Sequence, residues 1–264
     1  MSAGAALIED PGRNVQLEVL IEGSGPDVVL VPSAMRGAAD FAHLQAALAA
    51  AGYRSVAINP RGVRRSTPPP DDFTLGEAAD DVALVISGVC HGPAHVVGHA
   101  LGNIFARATA TYRPEVVKTL AVMPCGGHNL LAHPVAPEVI AHVARCHDEA
   151  LSEEERVESL RVAFFAPGND PKVWLDGWWP ASSGLAKSAL STDPEEWWRG
   201  GTVPMLIVQP LDDAMASPAA GREVAAALGN RATYVEVPGC GHAILPEQPE
   251  TIAGLIITFL RAHP

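Results

Sequence analysis

The chain has 264 residues, of which 48% are hydrophobic, and this is enough for one large globular domain with a sizeable core. Its formal net charge of −12 disfavours nucleic acids and anionic membranes as partners, because both need a positive protein surface. The N-terminus has no basic region before its short apolar stretch, and no apolar run reaches the roughly 18 residues that span a bilayer, so we expect a cytoplasmic protein without a signal peptide.

The order of apolar runs predicts an α/β fold. Seven short aliphatic or β-branched runs alternate with helical patterns, which is typical of parallel βαβ units. The predicted strands cover residues 15–21, 28–31, 55–58, 94–97, 119–122, 205–208 and 233–237. The runs at residues 28, 94 and 205 do not alternate between apolar and polar positions, so we expect both of their faces to be buried. These patterns predict a mostly parallel central sheet flanked by helices.

Helical periodicity marks the layers over this sheet. Phe41, Leu44 and Leu48 recur on one helical face, with Asp40 as the expected N-cap and Gly52 at the end. A further helix is predicted at the C-terminus of the chain, where the apolar stripe contains Ile252, Ile256, Phe259 and Leu260.

A third helix is expected after residue 74. Thr74 and Glu77 have the spacing of a capping box, in which each side chain bonds the other residue's backbone N–H. Leu75, Val82 and Ile86 then supply its apolar face.

Residues 125–200 break the alternation of strands and helices. They contain several Pro and Gly residues, acidic helical stretches and all five tryptophans. We interpret them as a helical cap inserted into a core formed by residues 1–124 and 201–264. Because apolar aromatic linings are typical of small-molecule pockets, the cap also predicts a hydrophobic, ring-containing ligand.

A strand-turn-helix motif occupies the middle of the core. Residues 96–102 read Val-Val-Gly-His-Ala-Leu-Gly, so two glycines flank a turn that is centred on Ala100. The motif resembles the G-x-S-x-G nucleophile elbow of the α/β-hydrolase superfamily, with alanine in place of the serine. The resemblance covers nearly the whole chain outside the cap. It implies an α/β-hydrolase fold and a hydrolase acting on an ester, lactone or related acyl bond.

The resemblance extends to the other catalytic positions. Asp213 follows the strand at 205–208 and corresponds to the acid, with Asp212 as the alternative, and one of the two could instead cap the helix that begins near Ser217. His242 follows the strand at 233–237 in a Gly-x-Gly-His turn and corresponds to the base.

The loop after the strand at 28–31 resembles the family segment that usually reads His-Gly-x. Here it reads Pro-Ser-Ala, and the resemblance implies that the backbone N–H groups of Ala34 and Leu101 form the oxyanion hole. The expected substrate pocket lies beside these groups. Its predicted wall consists of Ser33, His99, Cys125, Phe164, Trp174 and Trp178.

A basic turn follows the strand at 55–58. Residues 53–66 resemble a structural loop of the family that usually reads D-x-R-G-x-G-x-S, with Asn59 and Arg64 as departures. We interpret Arg61, Arg64 and Arg65 as a solvated basic turn, with contact to an acidic substrate as the alternative.

The cysteines and histidines do not have the spacing of a metal site. Cys90, Cys125, Cys146 and Cys240 lack C-x-x-C spacing and are expected to be buried thiols, with Cys125 as a less favoured nucleophile. The histidines of the cap also match no familiar ligand pattern, so we expect neither a metal nor another cofactor. These histidines are His128, His133, His142 and His147.

The alanine at position 100 leaves two explanations open. Either a serine has been replaced in this chain, which would leave the pocket intact without its nucleophile, or alanine is the native residue. The sequence Gly-His-Ala-x-Gly-Asn resembles a subgroup of bacterial α/β-hydrolase-like proteins in which alanine recurs. A native alanine would leave His242 and Asp213 to act as a general base in lyase, isomerase or cofactor-free chemistry, or leave a non-catalytic small-molecule receptor. The expected partner is a hydrophobic small molecule, and the expected assembly is a monomer or homodimer.

Overall fold

The computed structural model describes residues 4–125 and 132–264, and its centre is one eight-stranded sheet. The strands are β1 (Gly4–Asp10), β2 (Val15–Gly23), β3 (Asp27–Val31), β4 (Arg54–Asn59), β5 (Ala94–His99), β6 (Val117–Met123), β7 (Met205–Pro210) and β8 (Ala232–Val237). Their order across the sheet is β1-β2-β4-β3-β5-β6-β7-β8. The pairs β1–β2 and β2–β4 are antiparallel and the other pairs are parallel. The predicted α/β fold with a mostly parallel sheet is therefore confirmed.

The helices lie on both faces of the sheet and in the segment between β6 and β7. They are α1 (Ala42–Ala50), α2 (Leu75–Val89), α3 (Leu101–Tyr112), α4 (Pro137–Arg145), α5 (Glu153–Phe164), α6 (Gly184–Ser191), α7 (Pro218–Leu228), α8 (Ile244–Glu247) and α9 (Pro249–Arg261). Among the described residues, none of these helices is long and apolar enough to cross a membrane.

Side-chain alternation along the central strands divides the core into two clusters. Val29 and Val31 of β3 belong to the cluster that includes α2 and α3, whereas Val28 and Leu30 belong to the cluster beneath α1 and α9. All four side chains are at most 1% exposed. The expectation that the uninterrupted apolar runs are buried on both faces is confirmed.

Strand β1 was not predicted from the sequence. Among its described side chains only Ile8 is buried. Its pairing with β2 extends over all seven residues, from Gly4 against Ile21 to Asp10 against Val15. Because this strand is specified by backbone pairing more than by burial, its sequence carries only a weak apolar signal.

The start of α1 differs from the prediction. Residues Ala38–Phe41 form a 3₁₀ turn, and Phe41 is the N-cap of α1. The prediction that Asp40 caps this helix is wrong, because its carboxylate accepts hydrogen bonds from the Arg36 guanidinium at 2.8 and 2.9 Å. Helix α1 ends near Gly52 as predicted, and Gly52 has a φ of +86° that favours glycine.

The basic turn after β4 differs from the prediction at Arg61, whereas Arg64 and Arg65 are exposed as expected. Arg61 is 6% exposed and forms two hydrogen bonds to Asp81, at 2.6 and 3.0 Å. The interpretation of Arg61 as a solvated residue is therefore wrong. Arg65 bonds the buried Glu18 at 2.8 Å, and Arg64 lies over the ring of Trp179. These arginines hold the turn in place through partners that are distant in sequence.

The predicted capping box of α2 is confirmed. Thr74 Oγ1 accepts from the Glu77 N–H at 3.1 Å, and Glu77 Oε2 accepts from the Thr74 N–H at 2.8 Å. We expect Thr74→Ala to lower the free energy of unfolding by about 1 kcal/mol, because one of the first N–H groups of α2 loses its acceptor. Chemical denaturation measures this loss. Thr258→Ala removes a hydroxyl that only donates within α9 and should change stability by less than about 0.5 kcal/mol, and equal losses in both variants would contradict the prediction.

Candidate active site

Ala100 occupies the sharp turn between β5 and α3. Its backbone has φ 51° and ψ −112°, which is an uncommon conformation for a residue with a side chain. A Cβ on Gly98 would lie 2.4 Å from the Gly102 carbonyl oxygen, and one on Gly102 would lie 2.1 Å from the Val31 carbonyl oxygen. The two glycines are therefore required by close backbone packing. The turn keeps the geometry of a nucleophile elbow although its central side chain is a methyl group.

Asp213 and His242 form a buried pair at the ends of neighbouring strands. Asp213 lies beyond β7 and His242 beyond β8, and each residue is 8% exposed. His242 Nδ1 lies 3.1 Å from both carboxylate oxygens of Asp213. The carboxylate also accepts from the N–H groups of Met215 and Ala216, at 2.7 and 2.9 Å. These bonds fix the carboxylate so that it holds a proton on Nδ1 and leaves Nε2 to accept another.

The structure distinguishes Asp213 from its neighbour. Asp212 is exposed, and its carboxylate accepts from the Gly239 N–H at 2.9 Å. The cap of α7 is Ser217, whose hydroxyl accepts from the Ala219 N–H. Asp213 is thus the residue that contacts His242, and neither aspartate caps α7.

A cavity of about 280 Å³ lies beside the elbow, and residues from the segment between β6 and β7 form about half of its wall. Nearly all of its wall is apolar or aromatic. The structure brings eight of the residues singled out from the sequence onto this wall: Ser33, Ala34, Ala100, Leu101, Phe164, Trp174, Trp178 and His242. A cavity of this size and lining suits a small apolar molecule.

The two predicted oxyanion donors border this cavity. Within residues 4–125 and 132–264, the backbone N–H groups of Ala34 and Leu101 have no hydrogen-bond acceptor. Leu101 is the first residue of α3, where the N–H has no partner within the helix. Both groups can therefore donate to an oxygen atom of a ligand.

His99 lies behind the cavity wall, and its assignment to the wall is wrong. It is fully buried, and its Nε2 donates to the His242 carbonyl oxygen at 2.8 Å. Its ring contacts those of Trp174 and His242, with centroid distances of 5.9 Å in both cases. Burial lowers the pKa of His99 to about 3, so this imidazole is neutral. His99 supports the turn that carries His242.

This neutral histidine gives the fold a predictable sensitivity to acid. In the unfolded chain His99 binds a proton near its ordinary pKa of 6.5, whereas the folded value is about 3. The unfolded state therefore binds more protons between these values, and stability falls as the pH drops below 6.5. At pH 5 the expected loss from His99 is about 2 kcal/mol relative to neutral pH.

Denaturation of the parent chain and of His99→Gln at pH 7.5 and pH 5 measures this contribution. We expect the variant to lose less stability on acidification, because glutamine has no proton to gain. His95, whose pKa burial lowers to about 4, acts in the same direction and is common to both proteins. The same loss in both proteins would contradict the role assigned to His99.

Cys125 is likewise absent from the described part of the cavity wall. Its side chain is fully buried in the core cluster beneath α2 and α3, and the adjacent Pro124 lines the cavity instead. Burial raises the pKa of the Cys125 thiol, which disfavours the reactive thiolate. The placement of Cys125 in the pocket and its candidacy as a nucleophile are therefore corrected.

Several wall residues were not identified from the sequence. Helix α3 contributes Ile104 and Arg107, α6 contributes Ala186 and Ala189, and Trp197 lies beside them. The Arg107 guanidinium is fully buried, lies 4.8 Å from the Trp197 ring centroid, and donates to the Trp198 carbonyl oxygen at 3.2 Å. Ile104 and Arg107 are three residues apart on one face of α3, and this spacing is the local signal that could have indicated these two residues.

The described histidines of the cap have local partners. His133 pairs with Glu223 at 2.9 Å, and His142 bonds Ser159 at 3.1 Å. His147 packs against the Trp178 ring. His128 lies outside the described residues. Among the described residues, no group of three or more His, Cys, Asp or Glu side chains has the arrangement of a metal site.

Comparison with known proteins places the chain in a family. Residues 28–255 match the sequence pattern of the alpha/beta hydrolase family. BpoC of Mycobacterium tuberculosis, named for non-heme bromoperoxidase activity, is 28% identical over 251 residues, which cover 90% of this chain and 94% of BpoC. A 2-(acetamidomethylene)succinate hydrolase of Mesorhizobium japonicum is 25% identical over 272 residues, covering 96% of this chain and 94% of that protein.

A solved structure supports the same assignment at the level of the fold. The enol-lactonase from Burkholderia xenovorans aligns with a TM-score of 0.71 at 21% identity and covers 98% of this chain and 100% of its own. The matched pattern spans most of the chain, from β3 into α9. The protein described here belongs to the alpha/beta hydrolase family.

Proposed function

We propose that the protein is a hydrolase-fold enzyme for an ester, lactone or related acyl bond in a hydrophobic small molecule. The observation that carries the proposal is the buried pair of His242 and Asp213, at 3.1 Å, in which His242 lines an apolar cavity beside the elbow at Ala100. A relative named as a hydrolase and a structural neighbour named as a lactonase agree with this class of reaction.

With serine at position 100, the geometry supports acyl transfer in two steps. The hydroxyl would attack the substrate carbonyl carbon while His242 Nε2 takes its proton and Asp213 stabilises the resulting imidazolium. The N–H groups of Ala34 and Leu101 would hold the oxyanion. The C–O bond to the leaving group then breaks as His242 returns the proton to it. In the second step His242 activates a water molecule that releases the acid.

With alanine at position 100, the first step has no attacking atom. His242 can then act only on a proton of water or of the substrate itself, as a general base. The observation that favours this second candidate is the His242–Asp213 pair, because it retains a proton acceptor on the cavity although Ala100 offers no hydroxyl to activate. This mechanism covers slow hydrolysis and also lyase or isomerase chemistry.

A small-molecule receptor is the third candidate, and its basis is the apolar wall. Phe164, Trp174 and Trp178 contact one another at centroid distances of 5.5 to 6.0 Å and present a ring-lined surface. A receptor needs neither the Asp213 contact nor a proton acceptor at His242, so the buried pair favours an enzyme.

The discriminating experiment follows p-nitrophenyl butyrate with the parent chain, Ala100→Ser and Ala100→Ser/His242→Ala. Turnover that appears with serine and disappears with the second change supports acyl transfer. Slow turnover by the parent chain that is lost in a fourth protein, the parent chain with His242→Ala, supports the general-base mechanism. An ester recovered unchanged from all three folded proteins, although it binds, would reject the hydrolase proposal in favour of a receptor.

A further inference from the structure

Arg36 joins the loop that carries Ala34 to the aromatic wall of the cap. Its guanidinium is 3% exposed and forms a two-bond fork with the Asp40 carboxylate, at 2.8 and 2.9 Å. The same group lies 4.7 Å from the Trp174 ring centroid and 4.8 Å from that of Trp178. A planar guanidinium suits both contacts, because it offers paired donors at its edge and flat faces for stacking.

Backbone contacts extend this connection in both directions. Arg36 Nη1 donates to the Asp176 carbonyl oxygen at 2.7 Å, and the Trp179 N–H donates to the Met35 carbonyl oxygen at 2.9 Å. The Arg36 N–H donates to the Ser33 carbonyl oxygen at 3.1 Å, which closes a turn around Ala34. The loop and the segment from Trp174 to Trp179 are therefore held together at several points on one side of the cavity.

The loop held by these contacts is strained. Met35, which also lines the cavity, has a φ of +56°. A non-glycine residue in this region returns to an ordinary conformation unless its surroundings hold it. The direction of the Ala34 N–H depends on this turn, because that N–H belongs to the Ser33–Ala34 peptide group, whose carbonyl oxygen accepts the Arg36 N–H. Arg36, the next residue in the chain, is buried and charged, and its contacts can maintain this turn.

We propose that Arg36 is a positioning residue that fixes the oxyanion loop against the Trp174–Trp178 wall. It touches no reacting atom, but it sets the orientation of the Ala34 N–H and the shape of the pocket at the same time. The kinetic consequence rests on the proposed hydrolase function. The structural consequence is that Arg36 holds residues 33–38 and 174–179 in place together. This consequence does not rest on the proposed function.

Hydrogen exchange followed by mass spectrometry tests the structural consequence. In Arg36→Lys the charge remains while the fork and the stacking are lost, and we expect amide exchange to accelerate about tenfold in both segments. Arg61→Lys is the matched control, because Arg61 is also buried, holds Asp81 through two bonds and lies 5.1 Å from the Phe73 ring centroid. This control should leave both segments unchanged. Unchanged exchange in Arg36→Lys would overturn the proposal.

Kinetics with p-nitrophenyl butyrate in the Ala100→Ser chain test the positioning role. We expect kcat to fall about 10-fold in Arg36→Lys and about 100-fold in Arg36→Met, with KM within about threefold, because a displaced oxyanion donor acts on the transition state. An equal loss of kcat in Arg61→Lys, or a loss that appears only in KM, would overturn it. If Arg36→Met does not fold, kcat and KM are compared between Arg36→Lys and Arg61→Lys alone. Absence of turnover in every chain would reject the proposed function, and the exchange experiment would still decide the role of Arg36.

Discussion

Replacing Ala100 with serine is expected to produce esterase activity on a small activated ester, at least about 10³-fold above that of the parent chain. Loss of a triad nucleophile typically lowers kcat by about 10⁶. Adding a nucleophile to a site that is already formed should therefore raise the activity by a large factor. The elbow already has the required backbone at φ 51°, and His242 and Asp213 are already in contact. The measurement is p-nitrophenol release from p-nitrophenyl butyrate, with a burst that counts the acylated sites.

Ala186→Ser is the matched control for this experiment. It adds the same hydroxyl to the wall of the same cavity, on α6 and away from the elbow. We expect no gain in activity, because position 186 is not in the elbow, and the described cavity wall contains no histidine other than His242. A folded Ala100→Ser chain without any gain, or an equal gain in both variants, would contradict the view that position 100 is the missing nucleophile.

Local sequence signals explain why much of the core could be predicted. The uninterrupted apolar run of β3 needs only its own residues to indicate burial on both faces. The capping box at Thr74 lies within one helical turn, and the elbow needs small residues only at Gly98 and Gly102. In each case the residues that specify the structure are adjacent in the sequence, so their pattern carries the information.

Residues that the sequence misplaced or did not single out often have partners that are distant. The Arg36 side chain bonds Trp174, which is 138 residues away, and the His99 ring bonds the His242 carbonyl oxygen, which is 143 residues away. A sequence pattern does not record such contacts. Arg61 shows the same limit. In the sequence a buried arginine cannot be distinguished from a solvated one, and only its contact with the Asp81 carboxylate shows that Arg61 is buried.

The predictions for Asp213 and His242 depend partly on local patterns and partly on contacts between distant residues. Asp213 could be matched to His242 because each follows a parallel strand, and neighbouring parallel strands end at one edge of the sheet. The choice between Asp212 and Asp213 required the structure, in which one carboxylate faces His242 and the other faces the Gly239 N–H. Strand order thus brings the site together, and the turn after β7 decides which carboxylate enters it.

The contact of Asp213, and not Asp212, with His242 leads to a second prediction with a large effect on kcat, measured in the Ala100→Ser chain. Asp213→Asn is expected to lower kcat about 10⁴-fold, because an amide can hold the imidazole in the wrong tautomer and cannot stabilise the imidazolium. His242→Ala should lower it at least as far. Asp212→Asn is the matched control, since it makes the same change one residue earlier, at an exposed carboxylate that bonds only a loop N–H. We expect its kcat to stay within about threefold of the parent value.

The pH dependence of the active chain supplies an independent measurement. The proton acceptor is the neutral imidazole, so kcat/KM should be lost in acid, where a protonated imidazole cannot accept a proton. Asp213→Asn should depress the whole profile, whereas Asp212→Asn should reproduce that of its parent. Equal losses in the two asparagine variants would mean that the turn after β7, and not the Asp213 carboxylate, carries the effect. Activity that persists in His242→Ala would remove the base from the mechanism, because His242 is the one histidine among the described residues that line the cavity.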